Sequence, residues 1–121
     1  MKLDKPIVFF DLETTGISIA DDRVVDIAMV KRNPSGDEEF FESLVDPGMP
    51  IPPESSAIHK ITDEMVRGAP TFTELAPKLL GFFADCDLGG FGIVKFDVPV
   101  LCAEFRRAGF RWVGEGRRVV D

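Results

Sequence analysis

The chain has 121 residues, 45% of them hydrophobic, and a formal net charge of −7 at pH 7. That length bounds one domain with a modest core, and no apolar run approaches the roughly 18 residues that span a bilayer. The acidic balance argues against a general polyanion binder. Cys86 and Cys102 are too few for a disulfide framework or a zinc site. The start, MKLDKPIVFF, meets Asp11 too soon for a signal peptide, so a cytoplasmic location is expected. Charge is uneven: from Lys95 onward there are six bases and four acids, against 8 bases and 17 acids before it.

In chain order, Pro6 to Phe10 is continuous and apolar and predicts a strand buried on both faces. Thr14, Thr15 and Gly16 break it. Arg23 to Lys31 predicts a second strand and Glu39 to Val45 a third, joined by a tight turn at Asn33-Pro-Ser-Gly36. Asp46 to Glu54 holds prolines 47, 50, 52 and 53 and reads as loop. Thr62 followed by Asp63 and Glu64 marks a helix start. Thr71 with Glu74 at capping-box spacing marks a longer helix, whose stripe is Phe72, Leu75, Leu79, Phe82 and Phe83. Pro77 inside that stripe predicts a kink or a later start. Leu88 to Val94 reads as a Gly-rich strand, and Asp97 to Ala108 as a helix with Pro99 in its first turn and Gly109 as its stop. Val119-Val120-Asp121 opens a final strand. The order β-β-β-α-α-β-α-β implies an α/β fold, a mixed sheet covered by helices, with Val8, Phe9, Ile27, Leu79, Phe83 and Leu101 in its core. Because the chain stops inside an apolar element, it is expected to be a fragment.

The stretch FFDLETTG places Asp11 and Glu13 two residues apart, hence on one face of a strand and roughly 6.6 Å apart along it. Two like charges there cost several kcal/mol unless compensated, or else they are simply solvated at an exposed strand end. Hard divalent ions such as Mg²⁺ and Mn²⁺, which take oxygen ligands, would supply the compensation. Thr14, Thr15 and Gly16 add small side chains and a permissive backbone for close approach of a ligand. A third carboxylate, Asp97, opens a helix after a Gly-rich strand, a usual site location in α/β sheets.

FFDLETTG resembles the first motif of the DEDD-type 3′–5′ exonucleases, the proofreading-exonuclease family with a ribonuclease H-like fold. AIHKITDEMV (57–66) is similar to the family's His-Gly-Ile-Thr segment, with Lys60 in place of Gly. GGFGIVKFDVPVL (89–101) resembles the second motif, with Gly92 in place of its usual Asn, and EFRRAG (104–109) and the closing VVD continue the likeness. The resemblance implies one exonuclease domain over 1–121 and two-metal hydrolysis of a phosphodiester at a 3′ end, by two Mg²⁺ or Mn²⁺ ions roughly 4 Å apart. It implies that Asp11 bridges both ions, that Glu13 holds the first and that Asp97 acts through bound water. Thr14, Thr15 and Gly16 would face the terminal sugar, and Ile17 would wedge between bases. His59 matches the loop segment rather than the family's general base. It contacts the terminal nucleotide or, as readily, has a structural role near the Thr62 helix.

The third motif, with its His and last Asp, is absent from the sequence, which leaves three of four metal carboxylates and no base. The resemblance thus implies a 3′–5′ exonuclease acting in DNA repair, replication proofreading or nucleic-acid turnover, this chain being weakly active or inactive alone. Its partners would be a single-stranded DNA 3′ end and a DNA polymerase. The alternatives are a catalytically incomplete domain of the same fold that binds nucleic acid or protein, and a related nuclease acting on RNA.

Overall fold

The computed structural model describes residues 4–112 and 118–120. Three strands come first, β1 (Ile7–Thr14), β2 (Val24–Arg32) and β3 (Glu38–Leu44), then the helices α1 (Pro53–His59), α2 (Asp63–Val66) and α3 (Phe72–Phe83). A short strand β4 (Asp87–Gly89), a π-helical turn at Ile93–Asp97, helix α4 (Val98–Arg107) and strand β5 (Val119–Val120) follow. The sheet order is β3-β2-β1-β4-β5. β1, β2 and β3 pair antiparallel, whereas β4 lies parallel to β1 and β5 parallel to β4. The expected α/β architecture with a mixed sheet is therefore the observed one.

Helices α3 and α4 cover one face of this sheet. Val8, Phe10 and Leu12 of β1 and Ile27 and Met29 of β2 meet Leu75, Leu79 and Phe83 of α3 and Val100, Leu101 and Phe105 of α4. Phe83 is the hub: its ring stands edge-on to Phe10 at 5.6 Å and lies 5.2 Å from Trp112. The Thr71–Glu74 capping box forms as the sequence predicts, and the Thr62 hydroxyl caps α2 through the Met65 amide. Asp87 ties β5 down by accepting from the Arg118 amide at 2.8 Å and the Arg118 guanidinium at 3.2 Å. Burial alone would raise the Asp87 pKa, but the bonds and charge of Arg118 outweigh it and hold the carboxyl below its ordinary value.

Several sequence expectations need correction. β1 is buried on both faces only at its start, at Ile7 and Val8; period-two alternation then puts Phe9 on the side of Asp11 and Glu13, where it is 37% exposed rather than in the core. The proline-dense segment is loop only as far as Pro52. Proline costs nothing at a first helical position, where its missing N–H has no partner to lose, and α1 starts there with Pro53. α3 begins at Phe72, capped by Thr71, and runs on through Pro77. The Gly-rich strand ends at Gly89, because Gly90 (φ 155°) and Gly92 (φ 67°) turn the chain away. A Cβ on Gly90 would stand 2.9 Å from the Phe10 carbonyl, so only glycine lets the turn cross β1 this closely. Of the final strand, Val119 and Val120 form β5, and Asp121 lies outside the described residues.

Candidate active site

Asp11 and Glu13 project from the face of β1 that α3 and α4 leave open. Across the ladder Asp11 pairs with Ala28 and Glu13 with Asp26, and Glu42 of β3 stands opposite Ala28. Directly opposed side chains on one face lie about 5 Å apart at Cβ, so the open face gathers four carboxylates where the sequence singled out two. The Asp26 pKa is pushed up to about 7, first by burial, then by the neighbouring Glu42 carboxyl and the charges of Glu42, Glu13 and Asp11. Its Oδ1 is buried without a hydrogen-bond partner. A bulge after Glu13 shifts the register. Around it Val24 packs in the main core, while Val25 joins Ile51, Ile61 and Val66 in a second small cluster that seats α1 and α2.

Carboxylate oxygens are the donors that a hard divalent ion takes, and Asp11 and Glu13 present theirs on this one face, although the four carboxylates together are not packed into a metal-sized group. Asp97 is a different matter. It ends the π-helical turn as a buried residue, and among the described residues no three His, Cys, Asp or Glu side chains group closely enough to hold a metal. Asp11 and Glu13 are brought together as the sequence predicts; Asp97 is not gathered with them into a metal-sized cluster.

The turn after β1 is tightly bonded. The Thr14 hydroxyl donates to the Gly16 carbonyl at 2.6 Å. Thr15 is 1% exposed and its hydroxyl donates to Asp22 at 2.8 Å, so that hydroxyl does not face a terminal sugar. Ile17 is 93% exposed. Both nitrogens of His59 are engaged: Nδ1 accepts from the Ile61 amide at 3.0 Å, which leaves the ring proton on Nε2 for the Thr14 carbonyl, also at 3.0 Å. The Ser55 hydroxyl donates to the Thr15 carbonyl at 2.6 Å. α1 is thus pinned to the end of β1, and the histidine is a structural clasp.

Between these parts lies a cleft of about 260 Å³ whose walls include Leu12, Glu13, Ile17, Ile58, His59 and Phe96. Ile58 (82% exposed), Phe96, Ser55, Asp22, Asp26 and Glu42 escaped sequence reasoning. Ile58 adjoins His59 and Phe96 adjoins Asp97, so adjacency was the available signal for those two. The other four depend on register or turn geometry.

A family model described as Exonuclease (RNase T) matches residues 8–121. The chain belongs to this exonuclease family. It is 35% identical over 102 residues to a PolC-type DNA polymerase III of Pediococcus pentosaceus, a match covering 84% of this chain and 7% of that protein. Against the DNA polymerase III subunit epsilon of Treponema pallidum, identity is 36% over 95 residues, or 78% of this chain and 44% of the relative. The chain therefore spans less than half the length of these relatives. Among solved structures, Escherichia coli exonuclease I in complex with an oligonucleotide superposes with a TM-score of 0.84 at 21% identity, covering 98% of this chain and 28% of that one. The exonuclease fold is thus ribonuclease H-like, as the motifs implied. No helix among the described residues is long and apolar enough to cross a membrane.

Proposed function

We propose that this exonuclease-family chain carries the metal-binding half of a 3′–5′ exonuclease site acting on single-stranded nucleic acid ends, with a DNA polymerase as its working partner. The observation that carries the reading is the convergence of Asp11 and Glu13 on an open sheet face, beside an apolar cleft sized for part of a nucleotide. Asp11 and Glu13 would hold Mg²⁺ or Mn²⁺, which when bound supplies Lewis-acid activation of water and of the leaving oxygen. The chain's own residues do the rest. Ile17, Ile58 and Phe96 receive the terminal base by apolar contact. Thr14 and Thr15 shape the turn through their internal bonds, while His59 and Ser55 hold α1 in place as the wall of the cleft. Asp97, at the end of the π-helical turn, would take the indirect role that the resemblance implies.

The test is degradation of a 3′-labelled single strand in Mg²⁺ or Mn²⁺, by this chain and by Asp11→Ala. Measurable activity in this chain that is lost in Asp11→Ala supports the reading; equal and measurable activity in both proteins sinks it. One observation favours the second reading, a domain that binds nucleic acid without turnover. The chain has one histidine, and its two ring nitrogens are both bonded, so no imidazole is free to act as a base. Binding of the strand, with no cleavage in either metal, decides for that alternative.

A further inference from the structure

We propose that Asp22 is a positioning residue that sets the height of Ile17 over the cleft, a role that rests on the nucleic-acid reading of that cleft. The Asp22 carboxylate is the centre of the turn between β1 and β2. Its Oδ1 accepts from the Thr15 hydroxyl at 2.8 Å and its Oδ2 from the Ser18 amide at 2.8 Å. The Asp22 amide in turn donates to the Ser18 carbonyl at 2.9 Å. Thr15 closes the ring, accepting from the Arg23 amide at its hydroxyl (3.0 Å) and donating its own amide to the Arg23 carbonyl (2.9 Å). Residues on both sides of Ile17 are therefore bonded to one carboxylate, and Ile17 itself has no such anchor.

Gly16 supplies a second, steric observation. A Cβ placed there would lie 2.5 Å from Asp22 Oδ2, and its three nearest neighbours would all be atoms of that carboxylate. The absence of a side chain at Gly16 lets the carboxylate sit directly under the turn and hold it up. Thr15 and Ser18 are then fixed from below, and the backbone between them carries the Ile17 side chain outward to line the cleft at 93% exposure. An exposed isoleucine on a free loop would lose rotational and backbone freedom on meeting a base. One held in a turn of five hydrogen bonds, two of them to the Asp22 carboxylate, has lost most of it in advance, which favours binding.

The experiment measures affinity for a short fluorescein-labelled oligothymidylate with a phosphorothioate at its 3′ end, in Mg²⁺, for the unsubstituted chain, Asp22→Ala, Ile17→Ala and the double variant. Each single change is expected to weaken binding roughly tenfold, the scale of one lost apolar contact. The double variant should bind no worse than Ile17→Ala alone, because Asp22 acts through Ile17. Amide hydrogen exchange gives a ligand-independent readout: in Asp22→Ala, Ser18 and Arg23 should exchange faster while the β1–β2 ladder keeps its protection. Losses that multiply in the double variant, unchanged exchange at Ser18, or protection lost across the whole sheet would each overturn the proposal. Failure of the unsubstituted chain to bind the oligonucleotide sinks the functional reading and the substrate role of Asp22 with it. Intact binding with a silent Asp22→Ala sinks the positioning role alone.

Discussion

The backbone amide of Val24 donates to the buried carboxylate of Glu104 at 2.9 Å, joining the start of β2 to α4 across 80 residues of chain. The second carboxylate oxygen takes the Arg107 guanidinium at 3.0 Å, and Arg107 also reaches the Ala20 carbonyl. This bond sets the position of the helix that follows Asp97. Glu104→Ala leaves the Val24 amide buried without an acceptor and should cost roughly 1–3 kcal/mol in urea unfolding. Glu104→Gln keeps an acceptor and should cost less. Equal losses in the two variants would mean that the charge on Arg107, and not the amide bond, is what matters.

Asp26 makes stability depend on pH in an unusual direction. Its folded-state pKa, about 7, lies above the ordinary 3.8, with burial the largest cause and Glu42 the next. Between these values the folded chain holds a proton that the unfolded chain has released. The stability from that proton is complete below about pH 4 and is lost as pH rises through 7. The thermal midpoint should therefore fall with rising pH across this window, and Asp26→Asn should flatten the slope. A slope that survives the substitution would place the titration on another group.

Phe83 is fully buried between Phe10 and Trp112. Phe83→Ala should destabilise by roughly 3–5 kcal/mol, the range for a truncated core aromatic, as read by denaturant unfolding. A change below about 1 kcal/mol would show that the α3–sheet interface collapses around the cavity instead of leaving it open.

Lys60 ends α1 in the left-handed region at φ 67°, a conformation that strains any residue with a Cβ. This is the position where the sequence departs from the glycine of the similar family segment. Lys60→Gly should raise stability by up to about 1 kcal/mol, net of the extra freedom glycine has in the unfolded chain. The gain should appear as a higher thermal midpoint with unchanged oligonucleotide binding. A lower midpoint would mean that the bond from Lys60 Nζ to the Ala57 carbonyl, 2.8 Å long, outweighs the backbone strain.

What the sequence determined by itself is local. Side chains two apart in a strand share a face, so Asp11 and Glu13 had to converge wherever β1 was placed. Thr71 and Glu74 carry their capping box within four residues, and the motifs mark the exonuclease family because their spacing is written along the chain. The same alternation assigned Phe9 to the open face, and only the pull of a continuous apolar run argued otherwise. Tertiary structure decided everything that depends on register or on distant partners. Asp26 and Glu42 enter the carboxylate group because β2 and β3 align them beside β1, a fact that no window of one strand contains. Thr15 turns its hydroxyl inward because Asp22 lies under Gly16, and His59 becomes a clasp because the Thr14 carbonyl and the Ile61 amide meet its two nitrogens. A hydrogen bond is specified by where two groups end up in space, and sequence separation alone does not carry that information.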